Sequence, residues 1–366
     1  MFNLEVPFNN LSFGSIGFGI TYELFKRGIS PNIFPISGTV DMSSFDKAPE
    51  EFKQYLQSCI NKAPKCFNIN QLYLKQWHII SSWHKLSKTS NNFLTFFECN
   101  KITSTEKNIL NSFDRIFVTS TFSKKVFEEG GVTSPVFYVP MGFDSLHYHR
   151  INKKFYEDDR IVFILAGKIE KRKNTKKVIQ SWIKKYGNNI KYCLHLHITN
   201  PFFKPEDMNK IYGEIFENKQ PPFNIIIYGY QPTSSLFNQC LNAGNIILDM
   251  SSSETISLPS MISVAIGKHT VCLNAPGIQD WANDSNAVIV QPNGMEPIYD
   301  GVFFHEGNEY NQGEKLTWSE DEFLDACDKT IERYNKNPVN EAGFELQKRY
   351  SFKNGVNTIL KEVGIS

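Results

Sequence analysis

The sequence has no Cys-x-x-Cys pair, and its seven cysteines (Cys59, Cys66, Cys99, Cys193, Cys240, Cys272 and Cys327) are scattered and odd in number. That excludes a disulfide or zinc framework and predicts reduced thiols, mostly core fillers, in an intracellular chain. No stretch approaches the ~18 consecutive apolar residues of a bilayer span. The opening MFNLEVPFNNLSFG lacks a basic segment followed by an apolar one, so the expectation is a cytoplasmic protein without a secretion signal. Neither sign of charge is in excess: 39 Lys and Arg stand against 38 Asp and Glu, a net charge of +1. No whole-molecule field therefore draws the chain onto nucleic acid or acidic membrane, and any anion site must be local. No Asp-x-Asp follows an expected strand, which leaves a metal-chelated diphosphate without visible ligands; the expected metal ligands are none.

What is present is a globular composition of 366 residues, 41% hydrophobic and 14% aromatic. This length exceeds the usual single core and predicts two domains. Strand and helix signals alternate through residues 1–148, starting with a strand at Phe2–Val6, a Gly/Asn/Ser loop PFNNLSFGSIGFG and a helix ITYELFKRG. A polar linker, SLHYHRINKKFYEDD, follows. Alternation then restarts over 149–345, with the strands YCLHLHIT and FNIIIYGY read in succession, and 346–366 reads as a closing helix. Regular β/α alternation implies mostly parallel sheets. The fold class is α/β: two facing doubly wound, Rossmann-like domains with a cleft between them, the ligand sites lying just after strands.

The stretch IVFILAGKIEKRKNTKKVIQSW puts six Lys/Arg into the ten residues after an apolar run. Lys168, Arg172 and Lys173 lie between a strand end and a helix start, where cations and helix-end amides together suit an anion. Lys176, Lys177, Lys184 and Lys185 read instead as a solvated face opposite Val178, Ile179, Trp182 and Ile183. In SSSETISLPSMISVAIGK, a turn at Thr255, Ile256, Ser257 and Leu258 leads to Pro259 at a helix start, where proline loses nothing. The free amides of that turn suit a phosphate. Glu254 beside them is unfavourable unless it grips hydroxyls, which a sugar supplies.

These passages, with FVTSTFSKKVFEEGGVTSPVFYVPMGFD, resemble in order and spacing the three motifs of glycosyltransferase family 4, whose fold is GT-B. The resemblance implies a retaining, metal-independent transferase that moves a hexose or pentose from a nucleotide-diphosphate sugar, a UDP-sugar, to a hydroxyl. Lys168, Arg172 and Lys173 would bind the diphosphate, Thr255, Ile256, Ser257 and Leu258 would add amides, and Glu254 would hold sugar hydroxyls. Gly14, Ser15 and Gly17 of the opening loop would face the donor phosphate from the other domain, and the last helix would cross back onto the first domain. Ile262 stands where the family carries a second glutamate on the ribose, so ribose recognition would pass to Ser260 or Ser263.

On the acceptor side Glu98, after the strand NNFLTFFE, ranks as the first catalytic candidate, His78 second and His84 third. His195 and His197 share a strand face without a metal motif around them. The N-terminal VPFNNLSFGSIGFGI is similar to phage-type members of the family, which implies a hydroxymethylated pyrimidine of viral DNA as acceptor. Lys75, Lys85, Lys88, Lys101, Lys124 and Lys125 could supply the basic face that DNA requires. The alternatives are a polysaccharide or lipid-linked saccharide acceptor, a nucleotide-sugar epimerase, and a nucleotide-sugar-binding protein with a degenerate site.

Overall fold

The computed structural model describes residues 2–365. Its first half holds β1 (Asn3–Phe8), α1 (Ser12–Lys26), β2 (Asn32–Val40), α2 (Glu50–Cys66), β3 (Tyr73–Gln76), β4 (Asn91–Thr95), α3 (Ser104–Leu110), β5 (Arg115–Val118), α4 (Thr121–Glu129) and β6 (Val136–Tyr138). The strands form one parallel sheet in the order β2-β1-β3-β4-β5-β6. Leu4, Val6 and Phe8 alternate along β1 into the core beside α1, the period of two that a strand imposes.

The second half runs β7 (Ile161–Lys168), α5 (Thr175–Tyr186), β8 (Tyr192–Thr199), α6 (Pro205–Ile215), β9 (Ile225–Ile227), α7 (Ser234–Ala243) and β10 (Ile246–Asp249). It continues with α8 (Leu258–Ala265), β11 (His269–Leu273), β12 (Val288–Val290), β13 (Pro292–Pro297), β14 (Glu314–Trp318), α9 (Glu320–Lys336), α10 (Glu345–Arg349) and α11 (Phe352–Glu362). Its sheet is again six-stranded and parallel, β12-β11-β10-β7-β8-β9. Ile161 to Leu165 are all buried, as a central strand covered on both faces requires.

Three departures from the sequence expectation have local causes. The PFNNLSFGSIGFG segment is a loop only up to Leu11, so Gly14, Ser15 and Gly17 lie inside α1. The reason is packing: a side chain at Gly14 would collide with the Asn9 backbone, and one at Gly17 with the Pro7 carbonyl. Between YCLHLHIT and FNIIIYGY a helix, α6, intervenes and keeps the two strands parallel. It opens with Pro205 and carries Glu206 and Asp207 in its first turn, both favourable at a helix start.

The third departure is the β13–β14 hairpin. Its connecting segment, 298–313, leaves the second half and buries Ile298 and Phe304 in the core of the first, among Phe93, Phe97, Ile109 and Phe113. Hydrogen bonds fix this strap: the Thr103 hydroxyl donates to the Glu309 carbonyl (2.6 Å), and the Asn311 amide to Glu106 (2.9 Å). The chain crosses a second time at its end. Phe352, Val356, Ile359 and Leu360 of α11 join Leu4, Val6, Ile16 and Ile20 in one core, and the Phe352 ring occupies the space that a side chain at Gly19 would need.

Candidate active site at the cleft

Each sheet has one point where the chain reverses its direction of winding, between β1 and β3 in the first half and between β7 and β10 in the second. Ligands of doubly wound sheets bind outside the carboxyl ends of the strands at that point. Glu98 follows β4, His78 follows β3, Lys168 ends β7, and Glu254 follows β10, so the candidate residues of both halves stand at those edges.

The loop after β7 is built to hold its charges inward. A short 3-10 turn covers Lys171–Lys173, and Asn174 then adopts a left-handed conformation (φ 54°) before α5 starts. Asparagine tolerates this region because its side chain bonds locally. Here Nδ2 donates to the Met250 carbonyl (2.7 Å) and to the Ser252 hydroxyl (2.5 Å), tying the β7 loop to the β10 loop, while Lys315 of the hairpin donates to Oδ1 (3.2 Å). Ser257 is also left-handed (φ 58°) and caps α8. Among the described residues the amides of Thr255, Ile256, Ser257 and Leu258 find no protein acceptor, as the first amides of a helix have none within it.

The ionic network is dense. Arg172 sits 2.8 Å from Glu254, 2.7 Å from Glu170 and 3.1 Å from Glu98; Lys168 lies 2.7 Å from Glu170, and Lys173 pairs with Glu254. Lys168, Arg172 and Lys173 therefore face Glu98, Glu170 and Glu254, three cations against three carboxylates. Burial opposes ionisation of Glu254, but Arg172 and then Lys173 prevail and hold its carboxyl below the ordinary range. Glu170 is likewise desolvated, and Arg172, Lys168 and Lys173 bring it down to about 2. Glu98 goes the other way: burial raises it, Arg172 only partly offsets that, and Glu254 and Glu170 push it further up.

The two lobes touch around this network. The Ser253 hydroxyl donates to the Glu98 carbonyl. Asn10 donates to the Tyr230 hydroxyl (2.6 Å), and the Ser234 amide to the Ser44 carbonyl (2.8 Å).

Other expected residues fall elsewhere or change their part. Gly17 is packed against Pro7 rather than open to a ligand, and Ser15 donates its amide to the Leu11 carbonyl. Ile262 belongs to the hydrophobic core, and Ser263 donates its hydroxyl to the Pro259 carbonyl (2.8 Å), so it is already engaged within α8. His78 packs at a tilt against Phe13 (4.1 Å between centroids, 40° between the ring planes). Desolvation of its ring, and then the charge of Lys168, lower its pKa below that of a free imidazole. His84 lies apart, 3.1 Å from Glu5 in a cluster with Tyr73 and Lys75. Lys75 is only 1% exposed, which removes it from the expected basic face: β3 lies inside the sheet, and the side chain pairs with Glu5 of β1. His195 bonds to the Tyr156 hydroxyl (2.9 Å) and stands 6.2 Å from His197, both rings buried.

Two features escaped the sequence. Glu170 reads there as one acid in a basic run, and its alternation with Lys168 and Arg172 is the only hint of an internal clamp. Phe13 at the start of α1, Trp77 after β3 and Phe96 after β4 gather beside His78, with Phe13 4.4 Å from Phe96 and 5.5 Å from Trp77.

No family profile matches the chain, and neither does any curated protein. Solved structures do. A glycosyltransferase from Rickettsia africae covers 99% of this chain and 97% of its own at a TM-score of 0.69 and 13% identity. Anabaena HepE in complex with UDP-glucose covers 100% of both chains at 0.63 and 12%. Sucrose-phosphate synthase from Thermosynechococcus elongatus covers 86% of this chain and 78% of its own at 0.60 and 13%. What the chain shares with them is the arrangement described above: it has the GT-B fold.

Proposed function

We propose that the chain is a retaining glycosyltransferase that moves a sugar from a UDP-sugar to an acceptor hydroxyl without a metal ion. One observation carries this: Lys168, Arg172 and Lys173 converge with Glu254 and the unpaired amides of 255–258 at the switch-point edge of the second sheet. The three motifs that carry these residues resemble those of glycosyltransferase family 4. The fold is that of sugar transferases, and HepE, which shares it, is described in complex with UDP-glucose.

In this reading the diphosphate takes the cations and the helix-end amides, and Glu254 exchanges a cation for hydroxyls of the transferred sugar. As the bond between the anomeric carbon and the phosphate oxygen breaks, negative charge grows on the leaving group. Preorganised cations in a desolvated site are most effective there. The acceptor oxygen bonds to the anomeric carbon from the face the phosphate leaves, and the acceptor's proton passes to the departing phosphate oxygen. Glu98 and His78 stand on the acceptor side, where they can orient the incoming hydroxyl. The acceptors to separate are a saccharide and a hydroxymethylated pyrimidine in DNA.

A second reading, a UDP-sugar-binding protein with a degenerate site, is favoured by Ile262, whose apolar side chain offers the ribose nothing. Incubation with a panel of UDP-sugars and mixed acceptors, followed by mass spectrometry, tests both. UDP release with a glycosylated product supports transfer. Tight binding without turnover supports the second reading, and an altered sugar without UDP release would overturn both in favour of an epimerase.

A further inference from the structure

Four cations crowd residues 168–173, and like charges so close repel one another. Lys168, Arg172 and Lys173 pair with carboxylates. Lys171 instead donates to the Tyr299 carbonyl of the strap (2.8 Å). The strap and its base touch the same loop twice more. The Phe303 ring lies 5.3 Å from the Lys168 ammonium, and Lys315, only 3% exposed, donates to Asn174 (3.2 Å), the left-handed residue that closes the loop.

The strap is braced from within and anchored from the first half. Asp300 accepts the amides of Val302, Phe303 and Phe304 (2.8, 2.8 and 3.0 Å), and the Gln312 side chain donates to the His305 and Tyr310 carbonyls (2.8 and 3.0 Å). Its polar anchors all fall in the segment that follows Glu98. Asn100 accepts the Glu314 amide (2.9 Å), Lys101 bridges Gln312, Thr103 donates to Glu309, and Glu106 accepts the Asn311 amide. Ile298 and Phe304 add the apolar anchor.

We infer that segment 298–315 positions the cation loop: residues 98–106 of the first half hold the strap, and the strap holds Lys168, Lys171 and Asn174 in the shape that receives a diphosphate. The inference rests on the diphosphate reading of that loop and names what keeps the loop in register. A binding site gains affinity when the groups behind it fix its shape before the ligand arrives. Tyr299, Phe303 and Lys315 are positioning residues in this sense.

The test combines hydrogen exchange over residues 168–174 with calorimetry against UDP, on the full chain and three variants. Asn100→Ala removes one anchor at an exposed position, and Phe304→Ala removes the apolar one. Val132→Ala trims the same core outside the strap. Exchange in the loop should rise about tenfold in the first two variants, where local opening becomes easier, and UDP should bind about tenfold more weakly. Both readouts should stay within about twofold in Val132→Ala, even if its Tm falls. Unchanged exchange in folded Asn100→Ala and Phe304→Ala, or unchanged UDP affinity once the loop has loosened, would each overturn the positioning role. Equal loosening in Val132→Ala would overturn it too, by showing a general loss of stability. If the unmodified chain binds no UDP, the diphosphate reading falls and with it the positioning role, while the exchange data still decide whether the strap holds the loop.

Discussion

The Arg172 guanidinium joins the two lobes: Nη2 lies 3.1 Å from Glu98 of the first half, and Nη1 lies 2.8 Å from Glu254 of the second. An incoming diphosphate therefore meets a cation that is already shared, and must displace at least one carboxylate to reach it. Glu98 is the easiest to displace, because its side chain is 28% exposed while those of Glu170 and Glu254 are 3% and 7%. Glu98→Gln removes this competitor. UDP-glucose should then bind about tenfold tighter, the equivalent of about 1–2 kcal/mol for one charge-assisted hydrogen bond. Unchanged or weaker binding by calorimetry would show that Arg172 is not released by the donor.

The same contact gives donor affinity a pH dependence. The Glu98 carboxyl lies above its ordinary value of 4.5, through burial first and the neighbouring Glu254 and Glu170 next, with Arg172 only partly offsetting them. At higher pH it is ionised and holds Arg172; as pH falls through its raised pKa it is neutralised and lets Arg172 go. Affinity for UDP-glucose should therefore rise on acidification in the window above 4.5. The dependence should disappear in Glu98→Gln.

Lys173 pairs with Glu254. Lys173→Ala should raise the donor KM at least about tenfold or abolish turnover, since a desolvated cation facing the leaving group is lost. Glu254→Gln keeps the shape of the side chain and should lower kcat by about 10²-fold at most modest cost to folding. Wild-type kinetics in either variant, with circular dichroism confirming the fold, would remove that residue from the site.

Addition of a chelator should leave the rate unaltered, because the cations proposed to meet the diphosphate are side chains. Full loss of activity that Mg²⁺ restores would contradict the metal-independent reading.

Away from the cleft, Gly19→Ala should lower Tm by several degrees. Its methyl group would enter the space of the Phe352 ring, where α11 docks on α1, and overpacking a tight core typically costs about 1–3 kcal/mol. An unshifted melting curve would mean that α11 is loosely held.

The loops after β7 and β10 were legible because their backbone shapes demand particular residues. A left-handed turn at 174 favours asparagine or glycine, and a helix start at 258 admits proline at its next position. The parallel sheets were legible from apolar runs such as Ile161–Leu165. The strap was not, because Ile298, Phe303 and Phe304 follow neither a period of two nor one of 3.6 in a turn-rich segment. Helix α6 carries an apolar stripe at helical spacing, Met208, Ile211, Tyr212 and Ile215, which packs on the core of the second half and was legible but passed over between two stronger strand signals. The aromatic group beside His78 is assembled from residues far apart in sequence, and only the strand order brings them together.

The strap has a consequence for engineering. Segment 298–313 is encoded with the second half but completes the core of the first through Ile298 and Phe304. A hybrid chain spliced at the connector near residue 150 would graft a foreign plug into that core, so exchanging halves between chains of this fold will require transplanting the plug's receptacle, Phe93, Phe97, Ile109 and Phe113, along with it.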